Sequence, residues 1–275
     1  MNLFRFAAPQ AFYPLAGRLL PWFAAAALIL TIAGLYVGLV IAPTDAQQGE
    51  VYRIIFIHVP SAWMAMFTYL VMAAYAVFTL VWRTRLSALM TRALAPTGAL
   101  MAAIALYTGA IWGKPTWGTW WVWDARLTST LILLFLYLGY MALVAAIEDP
   151  VRADRAGALL LLIGVVNIPI IYFSVRWWNT LHQGASVSLT AAPKMAQTML
   201  TGMLLMSVAA WMYTIATALH RVRTLILDRE RHTQWVRQLY APLQGSADPS
   251  QPSDLPSRSS ALPSQASDLH RQSPP

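Results

Sequence analysis

The chain contains no cysteine, which excludes disulfides, thiolate metal sites, covalent cofactor attachment through paired thiols and a cysteine nucleophile. Charge is scarce as well. Only 11% of the 275 residues are Asp, Glu, Lys or Arg, against roughly 25% in a soluble globular domain. The apolar runs lack the row of charged side chains that a proton pump or ion channel needs, so those classes fall away. A phosphate loop is missing too. The run G-A-I-W-G-K-P-T at 109–116 has one residue too few between its glycines and a proline after Lys114 where Ser or Thr should stand. A cleavable secretory signal is not expected, because the first apolar run, 19–42, is too long for a signal core and no small-residue cleavage site follows it.

What the chain has instead is apolar length: 58% of its residues are hydrophobic. Six stretches reach the roughly 20 residues needed to cross a hydrocarbon core as a helix, near 20–42, 61–82, 93–112, 128–147, 156–175 and 195–219. The expected fold is therefore all-α, a six-transmembrane helix bundle occupying residues 1–219. Asn167 and Pro169 in the fifth stretch mark a possible kink with a satisfied amide. Basic residues cluster in the loops around Arg83, Arg85 and Arg92 and around Arg152 and Arg155, whereas loops 43–60, 113–127 and 176–194 are weakly charged. The positive-inside rule then puts both termini in the cytoplasm and those three weakly charged loops outside. On that topology five Lys and Arg lie outside (Arg53, Lys114, Arg126, Arg176 and Lys194) and the other 14 of 19 inside. The formal charge of +8 thus reports orientation in a membrane, not a nucleic-acid partner. Residues 220–240, rich in arginine, are expected to form a cytoplasmic juxtamembrane helix anchored on anionic membrane lipid. From 241 to 275, Pro and Ser supply 16 of 35 residues, so that tail is expected to be disordered.

The second outer loop holds the densest signal. W-G-K-P-T-W-G-T-W-W-V-W-D-A-R-L at 112–127 contains Trp112, Trp117, Trp120, Trp121 and Trp123, more than an interfacial aromatic belt requires. Together they offer a platform for a planar, mostly apolar ligand. Two of the five histidines flank this loop in sequence: His58 in F-I-H-V-P-S-A-W and His182 in W-W-N-T-L-H-Q-G. In one bundle all three outer loops emerge on the same face, so two imidazoles and a wall of indoles can converge. Haem suits such a site, since its iron takes imidazole ligands and its propionates need cations; Arg126, Arg176 and Lys114 are the outer candidates, with arginine the better carboxylate partner. Zinc held by the histidines with Asp45, Glu50 or Asp124 is the alternative, but it leaves the tryptophans unexplained. Asp124 stands where a helix should begin, a place for a cap or for a hold on Arg126 or an indole N–H, and the two roles are compatible. The twelve methionines lie mostly within spans, where they fill gaps.

The run W-G-T-W-W-V-W-D-A-R-L-T-S, with F-I-H-V-P-S-A-W, W-W-N-T-L-H-Q-G and six spans, resembles the CcmC family of haem-handling, WWD-motif membrane proteins of bacterial cytochrome c maturation, over about residues 15 to 240. The resemblance implies an inner-membrane protein that holds non-covalent haem b at its periplasmic face. His58 and His182 would be the axial ligands of the iron, and the WWD segment from Trp117 to Asp124, with Trp120, Trp121 and Trp123, would lie against the macrocycle. It further implies delivery of haem to the periplasmic chaperone CcmE, in a complex with CcmD and the transporter subunits CcmA and CcmB. The longer haem lyase CcmF shares the WWD loop but has additional spans and intramembrane histidines, neither of which is present here. The expected activity is therefore haem binding and delivery, with no catalytic residue. An enzyme that forms the bond between haem and the chaperone, and a haem channel, are the alternatives; six apolar spans without a polar stripe do not favour a wide path.

Overall fold

In a computed structural model, residues 6–178, 180, 182 and 195–245 are described. The chain divides into two compact units, Met1–Arg231 and His232–Pro275. In the first, α1 (Pro9–Tyr36) continues into a π-helical turn (Val37–Ile41), and a 3-10 turn (Glu50–Ile54) leads into α2 (Ile55–Val81). Then follow α3 (Arg85–Trp117), α4 (Ala125–Ala146), α5 (Pro150–Gly164), α6 (Asn167–Trp177) and α7 (Gln197–Arg229). The second unit contributes α8 (Gln234–Gly245). Six helices, counting α5 and α6 together, are long and apolar enough to cross a membrane. The all-helical six-span architecture expected from hydropathy is therefore what the chain forms.

The ends differ from the sequence reading in informative ways. Helix α2 begins before Pro60, which is its sixth residue; the proline forgoes one backbone hydrogen bond, to the Phe56 carbonyl, without ending the helix. Helix α3 runs on past Trp112 to Trp117 and stops at Gly118, whose φ of +78° is the left-handed conformation that glycine adopts cheaply, and whose N–H bonds the Lys114 carbonyl. The expected boundary at 219/220 falls inside α7, which carries the first ten residues of the 220–240 segment. The tail from 246 to 275 lies outside the described residues.

In lipid the hydrophobic effect does not pull helices together, so close packing and internal hydrogen bonds must. The core shows both. Tyr69 and Tyr137 are fully buried and meet edge to face, 5.2 Å apart. The Tyr137 hydroxyl donates to the Ala65 carbonyl at 2.7 Å, and that of Tyr140 to Thr91 Oγ1 at 2.7 Å. Glycine makes room for these rings. A Cβ on Gly98 would lie 2.3 Å from the Tyr137 ring, and one on Gly164 would lie 2.1 Å from the Tyr69 hydroxyl.

Helix α1 packs chiefly on α7, and α2 on α3. The α1 contact uses Gly34 and Gly38, four residues apart, with Gly202 of α7 only 3.2 Å from the Gly38 backbone if it bore a Cβ. The Gly38 carbonyl, in the π turn, accepts from Arg53 Nη1 at 2.7 Å. Between α5 and α6 the helix breaks at 165–166, and Asn167 Nδ2 donates to the Ser129 carbonyl at 2.9 Å, so the kink expected there carries a satisfied amide. At the basic end, Asp154 of α5 bonds both Arg92 of α3 (2.7 Å) and Arg229 of α7 (2.9 Å).

Candidate functional site

The opposite end of the bundle, where α2 and α4 begin and α3 ends, holds an apolar cavity enclosing about 830 Å³ of space, part of it open to solvent. Its walls include His58, His182, Trp117, Trp120, Trp121 and Arg126, and its floor Leu133 and Ile171.

His58 projects from the first turn of α2 and is only 8% exposed. The sequence reading placed it at the end of a loop; a helix holds its Cα more firmly. Against it lies one face of α3, made by Ala105, Thr108, Gly109 and Trp112, spaced i, i+3, i+4 and i+7. Thr108 Oγ1 stands 3.1 Å from His58 Nδ1. A Cβ on Gly109 would come within 3.1 Å of the imidazole, so a small residue there lets the ring lie against the helix. Trp112 meets His58 edge-on, with centroids 5.5 Å apart, and donates its indole N–H to Gln48 Oε1 at 2.8 Å.

His182 lies beyond the end of α6, and its backbone N–H bonds Thr180 Oγ1 at 3.1 Å. Its ring is 6.1 Å from that of His58, with 31° between the planes, and 6.2 Å from that of Trp117. Residues 124 positions apart are thus brought together, their rings tilted to one another. The loop after Gly118 is held by Thr119, whose hydroxyl donates to the Trp121 carbonyl at 3.0 Å. Trp120 and Trp121 line the cavity from this loop. Trp123 does not line it; 77% exposed, it packs edge-on against Trp121 at 5.4 Å.

Asp124 likewise stands off the cavity lining and caps α4, its Oδ1 accepting from the Leu127 N–H at 2.8 Å. The cap expected from the sequence is present, and the Asp124 carboxylate also acts electrostatically on Arg126. Its Oδ2 and the Trp121 Nε1 are buried without a hydrogen-bond partner among the described residues. Arg126, on the first turn of α4, makes no ion pair among the described residues. Lys114 donates to the Gly118 carbonyl at 3.2 Å, closing the end of α3, and Arg176 is exposed at the end of α6. Lys194 is outside the described residues. Among those residues no group of three or more His, Cys, Asp or Glu could hold a metal ion, so a zinc site completed by Asp45, Glu50 or Asp124 does not form there.

Sequence reasoning passed over Thr108 and Gly109 and gave Trp112 only a place among the indoles. The helical spacing from Ala105 to Trp112 was visible, but nothing in it says which face meets His58.

Residues 2–237 match the family model CcmC, described as Heme exporter protein C. The chain belongs to this family. Relatives named Heme exporter protein C match this chain over most of their own length. The Bradyrhizobium diazoefficiens protein is 48% identical over 83% of this chain and 87% of its own. The Escherichia coli K12 protein is 46% identical over 86% and 96%, and that of Paracoccus denitrificans 43% over 83% and 95%.

Proposed function

We propose that this CcmC-family protein binds haem b non-covalently in the cavity, with His58 and His182 as axial ligands, and delivers it to the chaperone CcmE during cytochrome c maturation. The observation that carries this reading is the spacing of the two imidazoles beneath the tryptophans. The imidazole ring centroids stand 6.1 Å apart, close enough for one ring nitrogen of each to reach a single metal ion placed between them at ~2 Å. Three further features suit the same ligand. The cavity is chiefly apolar, as a macrocycle requires. Arg126 is a cation with no direct ion pair among the described residues, and the buried Trp121 N–H is a donor without an acceptor there; both match propionate oxygens.

The iron, when bound, supplies Lewis acidity and electron transfer; the chain's part is to hold and orient. His58 and His182 take the iron, Trp117, Trp120 and Trp121 flank the ring, and Arg126 takes a carboxylate. Trp123 belongs to the rim, and Asp124 acts by fixing the start of α4 and so the placement of Arg126. Both imidazoles being engaged by iron, the reading is of a carrier with no catalytic residue, not an enzyme. The positive-inside distribution supports both termini in the cytoplasm of an inner-membrane protein, with the cavity on the periplasmic side. There haem can pass to CcmE, in company with CcmD, CcmA and CcmB.

The test is spectroscopic. Protein purified with haem should show a low-spin absorption spectrum, and His58→Ala and His182→Ala should each lose it while remaining abundant in the membrane. Unchanged low-spin spectra in both variants would remove these residues as ligands.

A further inference from the structure

The hydroxyl of Thr108 sits between the backbone of its own helix and His58. It has one proton to donate and two lone pairs to accept with. Three neighbours compete for it: the Ile104 carbonyl at 2.6 Å, the Ala105 carbonyl at 3.3 Å and His58 Nδ1 at 3.1 Å. Carbonyls only accept, and the Ile104 oxygen is much the nearest, so the proton goes there. Toward His58 the hydroxyl is then an acceptor, and Nδ1 must carry the ring's hydrogen. The Ala105 carbonyl, a second acceptor interacting with the same imidazole, acts in the same sense. A neutral imidazole with hydrogen on Nδ1 has its lone pair on Nε2.

We propose that Thr108 is a positioning residue that fixes His58 as the Nδ1–H tautomer and so presents Nε2 to the haem iron, a role that rests on the haem reading above. The surrounding face of α3 serves the same end. Ala105 and Gly109 leave room for the flat ring, and Trp112, itself tied to Gln48, closes its edge. Rotating the ring to bring Nδ1 toward the ligand would forfeit the only side-chain hydrogen bond His58 makes among the described residues. Metal-binding histidines are generally oriented by a partner on the second nitrogen, and loss of that partner costs about 10- to 100-fold in metal affinity.

Thr108→Val keeps the shape and removes the acceptor; Thr108→Ser restores it. In haem-loaded protein, release of haem to an excess of apomyoglobin should be about 10-fold or more faster in Thr108→Val and near the wild-type rate in Thr108→Ser. In the His58→Ala background Thr108→Val should add nothing. A wild-type release rate in Thr108→Val, or an equal acceleration in both backgrounds, would overturn the proposal, the latter because it signals a merely structural defect. The tautomer itself is read without haem, from nitrogen-15 NMR of histidine-labelled protein with His58→Ala to identify the resonance. Hydrogen on Nδ1 supports the assignment and hydrogen on Nε2 overturns it. If the tautomer is as stated but His58→Ala retains haem as well as the wild type, it is the ligand reading that fails, not the hydrogen bond.

Discussion

One oxygen of the Asp124 carboxylate caps α4 while the other is buried without a partner, and the Trp121 N–H nearby is in the same position. Buried polar atoms left unpaired cost about 1–3 kcal/mol each, so a ligand whose oxygen accepts from the Trp121 N–H recovers that cost on binding. Asp124→Ala should lower the stability of the haem-free protein by about 1 kcal/mol, the usual worth of such a cap. Asp124→Asn, whose amide oxygen still accepts, should retain most of it. Thermal melting decides: equal melting of wild type and Asp124→Ala would show the cap to be idle. The sequence displayed the five tryptophans as one wall, and here it was only partly legible. Loop spacing carries no direction, so that Trp123 faces outward while Trp121 lines the cavity could not be read from it. Trp112 and Trp117 proved to stand on the last turns of α3, where helical geometry turns them toward the histidines.

At the scale of elements, all six membrane crossings were legible, because a run of about 20 apolar residues has few other stable fates. Their ends were not. Hydropathy registers side chains, whereas a helix ends where its backbone hydrogen bonds are taken over by a cap or a turn. Pro60 marked a boundary in the sequence and yet lies inside α2; α3 ends at Trp117, five residues beyond the third apolar stretch, with Gly118 as its cap. The consequence reaches the site, since both errors moved site residues from loops onto helices. His58 gains a helical backbone and the α3 face opposite it becomes a continuous support. The break before α6 was legible for the opposite reason: Asn167 is an amide in an otherwise apolar span, and it needs a partner such as the Ser129 carbonyl.

For the whole molecule, orientation follows from where the 19 basic residues fall, and the cysteine-free chain offers a clean way to check it. A single cysteine in place of Trp123, 77% exposed beside the cavity, should react with a membrane-impermeant maleimide in intact cells. One in place of Arg85, at the basic end where α3 begins, should react only after permeabilisation. The reverse pattern would invert the topology and put the cavity in the cytoplasm. At that basic end Asp154 answers two arginines at once, joining α3, α5 and α7. Arg126, at the cavity, forms no such direct ion pair among the described residues, and the Asp124 carboxylate acts on it only from a distance. In a medium less polar than water that difference becomes electrochemical. Ferric iron brings one more positive charge than ferrous, so a nearby guanidinium whose charge is only partly offset disfavours the oxidised form. Arg126→Gln in haem-loaded protein should accordingly lower the midpoint potential, and an unchanged or raised potential in a redox titration would show its charge to be balanced otherwise. The side chain suited to a propionate would then also bias how readily the bound metal gives up an electron.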